Sequence, residues 1–348
     1  MAYSSIIKSS DYFNTKLYTG NAGTQAITGV GFQPDWVWIK TRADVNNHTI
    51  FDAVRGVTKR IRSNQNNAES TSSGVTSFDS DGFTVGSDSA GNSGTMVSWN
   101  WKANGAGSSN TDGSITSTVS ANTTSGFSIV KYSGNSNSTS TIGHGLGVAP
   151  SLVMIKNLGQ TEEWVVGVNA GSLDFTQYAY LNLTNAFSGN AAAFFNNTNP
   201  SSNLIYIGNS GTVNGGSSYE HIAYCFADVQ GFSKMGSYVG NGNADGTFVY
   251  TGFKPAFVMT KPSSGAGSWY MLDNKRANPF NAVTGRVEAD GSGAENTGFT
   301  WCDFTSNGFK IRTTEGGINA NGVTYIYMAF AEAPFTANVD GGLPTTAR

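Results

Sequence analysis

The chain has 348 residues, a formal net charge of −3, 12% charged residues and 12% aromatic residues. The aromatic content argues against a disordered chain, and the slightly negative charge without a Lys/Arg run argues against a nucleic-acid partner. No apolar stretch reaches the roughly 18 residues of a membrane span, so no membrane insertion is predicted. The first residues lack the basic and apolar regions of a secretory signal, which predicts synthesis in a cytoplasm without a signal peptide.

An internal repeat organises the sequence. The pattern Tyr-x-Gly-Asn occurs three times, and a proline follows 16 to 18 residues after each tyrosine. An apolar segment then ends in a lysine six positions after the proline. Because these anchors keep the same order, they predict three equivalent units. The tyrosine, proline and lysine of the successive copies are Tyr18, Pro34 and Lys40, then Tyr132, Pro150 and Lys156, then Tyr238, Pro255 and Lys261.

The repeat also predicts how the chain divides. Each copy has about one hundred residues, which is long enough for a core of its own. The Gly/Ser-rich stretch between the first two copies is typical of a linker. The predicted segments are a first β-sandwich repeat at 1–104, a linker at 105–118, a second repeat at 119–231, a third repeat at 232–336 and a C-terminal tail at 337–348.

Local patterns predict an all-β fold of tandem antiparallel β-sandwich repeats, of jelly-roll or lectin-like type. The apolar run after each proline predicts a strand buried on both faces, and its final lysine is expected to protect a sheet edge from unwanted pairing. The segments Ser77–Val85 and Asp303–Ile311 predict hairpins, with Asp-Gly and Asn-Gly at the centre of type I′ turns. One short helix per unit is expected, in the first unit near Phe51–Arg55.

An Asp-x-x-Arg spacing follows the post-proline strand in two units. It is formed by Asp52 and Arg55 in the first unit and by Asp273 and Arg276 in the third. One interpretation is a polar ligand site, since a guanidinium can stack on a sugar or pair with a phosphate. The alternative is an ion pair that fixes a loop.

Two tryptophans lie outside the predicted strands. Trp164 follows two glutamates, and Trp269 follows a loop rich in Gly and Ser. An exposed aromatic side chain on a sandwich rim could hold a sugar, whereas a core position is the alternative. With the two Asp–Arg pairs, these tryptophans complete the candidate ligand-binding residues.

The sequence predicts no catalytic site, no metal site and no cofactor. Asp79–Gly82 resembles the start of a calcium loop, but a turn also explains the matching Thr305–Gly308 of the third unit. The three histidines lie at unrelated places, and Glu162 and Glu163 would point to opposite faces of a strand. Neither group therefore gives a zinc site, a catalytic relay or an acid pair. The two cysteines are predicted to be buried thiols.

Longer phrases of the sequence are similar to a known group of proteins. In the first unit these are Gly31–Lys40, Phe51–Gly56 and Phe78–Phe83, and Ala223–Gly242 connects the second unit to the third. These phrases resemble a β-rich module of tail-fibre-like and other virion structural proteins of marine and cyanobacterial phages. The second unit departs from the pattern, because Val165–Asn169 stands where Asp-x-x-Arg is expected.

The resemblance implies a non-enzymatic structural protein of the virion, made in the host cytoplasm. It further implies a homo-oligomer, such as a trimer, that contacts other virion proteins and a host-surface glycan. The main expectation is a short tail fibre or spike that binds a receptor. The alternatives are a capsid decoration protein or another virion-surface scaffold, and a glycan depolymerase. The tail at 337–348 is hypothesised to order against a neighbouring subunit.

Overall fold

The computed structural model describes residues 4–276 and 281–334. Its regular elements are almost all antiparallel strands, so the predicted all-β sandwich class is confirmed. We use unit 1 (4–104), unit 2 (105–231) and unit 3 (232–334) as names for three chain segments. Their status as separate domains stays a prediction, and the tail at 337–348 lies outside the described residues. No helix in the described segments is long and apolar enough to cross a membrane.

The elements follow one another with short connections. Unit 1 contains β1 Phe13–Asn21, β2 Gln25–Thr28, β3 Trp36–Thr41, β4 Thr49–Asp52, β5 Gly56–Ile61, β6 Ser70–Thr71, β7 Ser77–Asp79, β8 Gly82–Val85, α1 Ser89–Asn92 and β9 Ser93–Trp101, after a 3-10 turn at Ser9–Asp11. Unit 2 contains β10 Ser108–Asn110, β11 Ser117–Asn122, β12 Phe127–Ser133, β13 Ser140–Gly143, β14 Leu152–Asn157, β15 Val165–Val168, β16 Gln177–Tyr180, β17 Ser188–Gly189, α2 Ala192–Phe195, β18 Leu204–Ile207, α3 Gly211–Asn214 and β19 Glu220–Phe226. Unit 3 contains β20 Ser233–Val239, β21 Phe248–Tyr250, β22 Phe253–Pro262, β23 Tyr270–Asp273, β24 Arg286–Glu288, β25 Cys302–Thr305, β26 Gly308–Ile311, α4 Gly316–Asn319 and β27 Thr324–Pro334.

Each unit combines one large sheet with one small sheet. The large sheets have the orders β1-β9-β3-β4-β5-β6, β10-β11-β12-β19-β14-β15-β16-β17 and β20-β27-β22-β23-β24. The small sheets are β2-β8-β7, β13-β18 and β21-β26-β25. In every large sheet the post-proline strand (β3, β14 or β22) lies between the closing strand of its unit and the next strand along the chain.

The post-proline strands are buried on both faces, as their apolar runs predict. In β3, Val37 and Ile39 pack on the outer side with Phe83 of the small sheet, whereas Trp36 and Trp38 face inward. The pairing register is the same in all three units. Val37 pairs with Asn100, Val153 with Cys225 and Val258 with Ala329 of the closing strands.

The inner faces of the large sheets meet in one aromatic core. The ring of Trp36 in unit 1 lies 4.7 Å from the ring of Tyr224 in unit 2. Phe330 of unit 3 lies 5.6 Å from Trp101 of unit 1 and 5.8 Å from Phe226 of unit 2, measured between ring centroids. Such edge and tilted contacts are favourable for aromatic pairs. The three units therefore share their largest core in addition to the outer packing of each sandwich.

The Tyr-x-Gly-Asn motif holds the start of each unit to its short final helix. The tyrosine hydroxyls donate to the carbonyls of Gly91, Val213 and Ile318 at 2.5, 2.6 and 2.8 Å. The motif asparagines donate their N–H to the side chains of the helix-terminal asparagines Asn92, Asn214 and Asn319. The motif glycine is required by close approach, because a Cβ on Gly134 would lie 1.7 Å from the carbonyl oxygen of Gly215. The motif is therefore structural.

Two local expectations were wrong. Phe51–Asp52 ends strand β4, and the following turn closes on the Asp52 carboxylate, so the short helix of unit 1 is α1 instead. The two hairpins exist, but their turn residues are Ser80-Asp81 and Ser306-Asn307, without positive φ. The glycine that follows serves close approach, since a Cβ on Gly82 would lie 1.9 Å from the Ile27 carbonyl oxygen.

The predicted linker at 105–118 is largely part of unit 2. Strand β10 lies within this stretch and strand β11 begins in it. Both strands extend the large sheet beyond β12. A stretch rich in Gly and Ser has little strand propensity of its own, but here its backbone N–H and carbonyl groups pair with β12. The sequence does not show which strand will be its neighbour.

Candidate functional site

The first Asp–Arg pair lies at the junction between units 1 and 2. The Asp52 carboxylate accepts the N–H groups of Val54 and Arg55, and the Arg55 guanidinium donates back to it. The hydroxyl of Tyr224 from unit 2 donates to the same carboxylate at 2.7 Å. Burial raises the pKa of Tyr224 well above its ordinary value, so this hydroxyl keeps its proton. Another contact of Arg55 is with Glu69, at 3.1 Å.

The second pair repeats this arrangement between units 3 and 1. Asp273 Oδ2 accepts from Arg276 Nε at 2.6 Å and from Trp99 Nε1 of unit 1 at 2.9 Å. The Arg276 guanidinium carbon lies 5.3 Å from the Trp99 ring centroid. All the side-chain groups of this cluster are buried, and the pair presents no group to solvent.

The junction between units 2 and 3 has apolar residues at the matching register. Val168 pairs with Leu152, and Asp52 pairs with Trp36 at the same register. Val168 therefore stands at the aspartate position, and Gly171, three residues later, stands at the arginine position. Met328 stands on the closing strand of unit 3 where Tyr224 and Trp99 stand on theirs. Both Val168 and Met328 are buried in the shared core. Two junctions thus have an aspartate, an arginine and a hydrogen-bond donor from the neighbouring unit. The third junction has apolar side chains and a glycine at those positions.

Trp164 and Trp269 are also buried at junctions. Trp164 Nε1 donates to the carbonyl of Arg62 in unit 1 at 2.8 Å, and Trp269 Nε1 donates to Tyr180 in unit 2 at 2.9 Å. All six residues predicted to bind a ligand are therefore inside the protein, where their polar groups bond to other protein groups. This placement supports the structural alternatives, the ion pair and the core tryptophan.

His48 occupies the position of Trp164 and Trp269 in unit 1. It lies four residues before Asp52, as the tryptophans lie four residues before Val168 and Asp273. Its Nδ1 accepts from Trp38 Nε1 at 2.8 Å, and its Nε2 lies 2.9 Å from the carbonyl oxygen of Glu288 in unit 3. Burial lowers the pKa of His48 to about 3. This role of His48 was not predicted, although its four-residue spacing to Asp52, shared with the two tryptophans, was a usable signal.

The three strand-final lysines do not protect sheet edges, which corrects that expectation. Lys40, Lys156 and Lys261 are all fully buried. Lys156 Nζ donates to the carbonyl of Asn66 in unit 1 at 3.1 Å, and Lys261 Nζ to that of Thr184 in unit 2 at 3.0 Å. Burial lowers the pKa of each lysine to about 8. Lys40 Nζ instead donates to the carbonyls of Thr41 and Asp44 in its own unit. All three buried amines are thus paired with backbone carbonyls, as a buried polar group must be.

The acid pair and the thiols considered in the sequence have structural surroundings. Glu162 accepts from Thr212, and Glu163 accepts from Asn66 and Asn182. Both cysteines are buried and free, as predicted. Within the described part of the chain, no group of three or more His, Cys, Asp or Glu side chains is placed to hold a metal ion. The exposed Asp81 accepts from the N–H groups of Gly29 and Gly31, and these bonds lower the pKa of its carboxyl group.

Comparison with known proteins gives one match. Residues 8–334 match the family described as "Domain of unknown function (DUF7483)". No curated protein and no solved structure matches the chain significantly. Because the match covers most of the sequence, this chain belongs to the DUF7483 family.

Proposed function

We propose that the protein is a non-enzymatic structural component of a phage particle, built as a rigid block of three β-sandwich units. The observation that carries this proposal is the shared core, in which Trp36, Phe226 and Phe330 bring the three large sheets together. The polar residues at the junctions are used to join units rather than to form an open cleft. Such a block suits a decoration protein, a scaffold or the body of a short fibre.

The resemblance to virion modules supports a location in the phage particle. The burial of the six candidate ligand-binding residues changes which role we place first. A glycan-binding role for Asp52, Arg55, Trp164, Trp269, Asp273 and Arg276 would require buried groups to reach solvent. A structural role requires only the packing that is present. We therefore place the scaffold or decoration role ahead of the receptor-binding fibre.

Immunogold labelling of intact phage particles with antibodies against the purified protein tests the proposal. Regular labelling of the capsid or tail, together with recovery of the chain from purified particles by mass spectrometry, is the expected result. A chain that is abundant in the lysate but absent from particles would refute it. Sugar release from host polysaccharide by the purified protein would refute the non-enzymatic part.

A receptor-binding role is the second candidate, and one exposed aromatic residue favours it. Phe299 is 46% exposed, and its ring lies 5.0 Å from the buried Trp301 ring. An exposed ring held by a second ring is a suitable platform for the apolar face of a sugar. Phe299→Ala should then abolish adsorption of the protein to host cells, whereas Val45→Ala, at another exposed position, should leave it unchanged.

A further inference from the structure

One side of the unit 2 sandwich is closed by the segment 114–122. Its strand β11 pairs with β12 of the large sheet, where Thr118 lies opposite Lys131. Its other end reaches the small sheet, since the Ile115 N–H donates to the carbonyl of Thr141 at 3.0 Å. Ile115 and Val119 enter the outer core of unit 2. The segment therefore acts as a cover between the edges of the two sheets.

The same side of unit 3 has no such cover among the described residues. Strand β20 corresponds to β12, because each carries the tyrosine of the Tyr-x-Gly-Asn motif and pairs with the closing strand. It forms the edge of its large sheet, and β21 forms the edge of the small sheet. Between them lies a groove of about 440 Å³, lined by Lys234, Gly236, Tyr238, Thr247, Phe248 and Tyr250, among others.

The backbone of β20 is oriented to accept another strand. The Met235 N–H donates to the Asp228 carboxylate at 2.9 Å rather than to β27, which shows that it points away from the sheet. Because strand N–H groups alternate in direction, Ser237 and Val239 point the same way. The edge at 235–238 matches part of the β12 stretch that β11 covers in unit 2, where Lys131 stands at the position of Ser237.

The rim of this groove is apolar. Val239 is 52% exposed, Phe248 46% and Tyr250 51%, and these are three of the seven large hydrophobic side chains that are exposed in the described chain. Side-chain bonds cross this rim in both units. Lys234 Nζ donates to the Tyr250 carbonyl and Thr247 Oγ1 to the Val239 carbonyl in unit 3, and the matching bonds in unit 1 run from Asn14 Nδ2 to the Val30 carbonyl and from Gln25 Nε2 to the Thr19 carbonyl. Unit 1 differs in its apolar groups, because its exposed large hydrophobic side chains among the described residues, Ile7 and Val45, lie outside β1 and β2. A concentration of exposed apolar groups beside an open strand edge marks an interaction surface.

We propose that this groove binds an extended, uncharged polypeptide strand of a partner chain, which pairs with β20 as β11 pairs with β12. The segment 114–122 shows the chemistry that fits, because it is rich in Ser and Thr, carries no charge and places Ile115 and Val119 toward the interior. The partner's main chain would bond to the edge, and its alternate side chains would cover Phe248 and Val239. This site goes beyond the structural role proposed above, since it identifies how the block is joined to another protein.

The test uses a fluorescently labelled peptide that copies residues 113–122, added to the full chain and followed by fluorescence anisotropy. Saturable binding is expected, and Phe248→Ser should weaken it at least tenfold. Val148→Ser removes a side chain of similar exposure (50%) outside the groove and should leave the affinity unchanged. A peptide with Asp at the positions of Ile115 and Val119 should not bind. Absence of binding, or equal affinity for the Phe248→Ser variant, would overturn the proposal.

Hydrogen exchange of the Ser237 and Val239 amides, which point away from β27, provides the second readout. These amides should exchange rapidly in the free full chain and slowly when the peptide is bound. Slow exchange without the peptide would mean that the groove is already filled by a second copy or by another segment of the same chain. The mass of the protein in solution distinguishes these two occupants, and either one would overturn the assignment to a partner chain.

Discussion

The junctions at Asp273 and at Val168 occupy matching registers but use opposite chemistry. At Asp273 a buried carboxylate, the Arg276 guanidinium and the Trp99 indole form a hydrogen-bonded set between units 3 and 1. At Val168 only apolar atoms and Gly171 stand in the corresponding places. A buried ion pair contributes little net stability compared with apolar residues of similar volume, but losing one partner is strongly unfavourable. The polar junctions therefore define which groups meet, and the apolar junction shows that packing alone is sufficient.

The largest effect is expected from Asp273→Ala. The change removes the carboxylate that lies 2.6 Å from the buried Arg276 guanidinium and leaves it only Glu295, at 3.5 Å. Breaking a buried pair in this way costs about 3–5 kcal/mol. Urea unfolding followed by tryptophan fluorescence measures the loss.

A triple variant that makes this junction apolar at closely similar volume serves as the matched control. Asp273→Leu, Arg276→Met and Trp99→Phe remove the polar groups, as the apolar junction at Val168 does without them. It should recover most of the stability that Asp273→Ala loses. If it is less stable than Asp273→Ala, the polar groups contribute more than the comparison allows.

Acid should lower the free energy of unfolding through His48, which lies at the junction between units 1 and 3. The matching positions, Trp164 and Trp269, do not titrate. Burial lowers the pKa of His48 to about 3, below its ordinary value of 6.5, so the unfolded chain binds the proton first. His48 therefore contributes stability that is present above about pH 6.5 and is lost as the pH falls toward 3. The loss is about 1.4 kcal/mol per pH unit within that window.

The double variant His48→Trp, Trp38→Met isolates this contribution, because it installs the residues found at Trp164 and Met154 of unit 2. The difference in unfolding free energy between pH 6 and pH 4 should be about 2–3 kcal/mol smaller in the variant than in the natural chain. An identical pH dependence would show that His48 is not held neutral. His144 and His221 are present in both proteins and cancel.

Truncation of the central-strand valines compares the packing of units 2 and 3. Val153→Ala removes two methyl groups from a fully buried site and should cost about 1–3 kcal/mol. Val258→Ala, at the matching register, should cost a similar amount, as read from thermal or urea unfolding. A negligible effect at either position would contradict the equivalence of the two strands.

The smallest effect is expected where a single hydrogen bond is removed between units. Tyr224→Phe deletes the hydroxyl that donates to Asp52 but keeps the ring beside Trp36, so the expected loss is about 1 kcal/mol. A loss above about 3 kcal/mol for Tyr224→Phe would mean that Val54 and Arg55 alone cannot satisfy the Asp52 carboxylate.

The local architecture could be predicted because it is encoded by contiguous residues. The run from Trp36 to Lys40 is apolar at every position but its last, and a strand with this pattern is buried on both faces wherever it lies. The hairpin at Ser77–Val85 follows similarly from turn residues between apolar ones, although the role of Gly82 depends on its distance from Ile27. Strands that form because of a neighbour distant in sequence could not be predicted in this way. The strands at 108–110 and 117–122 stand where the Gly/Ser-rich composition predicted a linker.

The sequence by itself determined the β-class, the threefold order of anchors and the doubly buried central strands, because each depends on side-chain periodicity within a few residues. Only the tertiary structure decided that Asp52 meets Tyr224, that His48 meets Glu288 and that the strand-final lysines lie inside. The two residues in each of the first two pairs are far apart along the chain, and they meet because the three large sheets pack around one core. A charged side chain that looks like a surface residue in the sequence can therefore become a buried link between units, because the backbone carbonyls or counter-charges that satisfy it arrive from another segment.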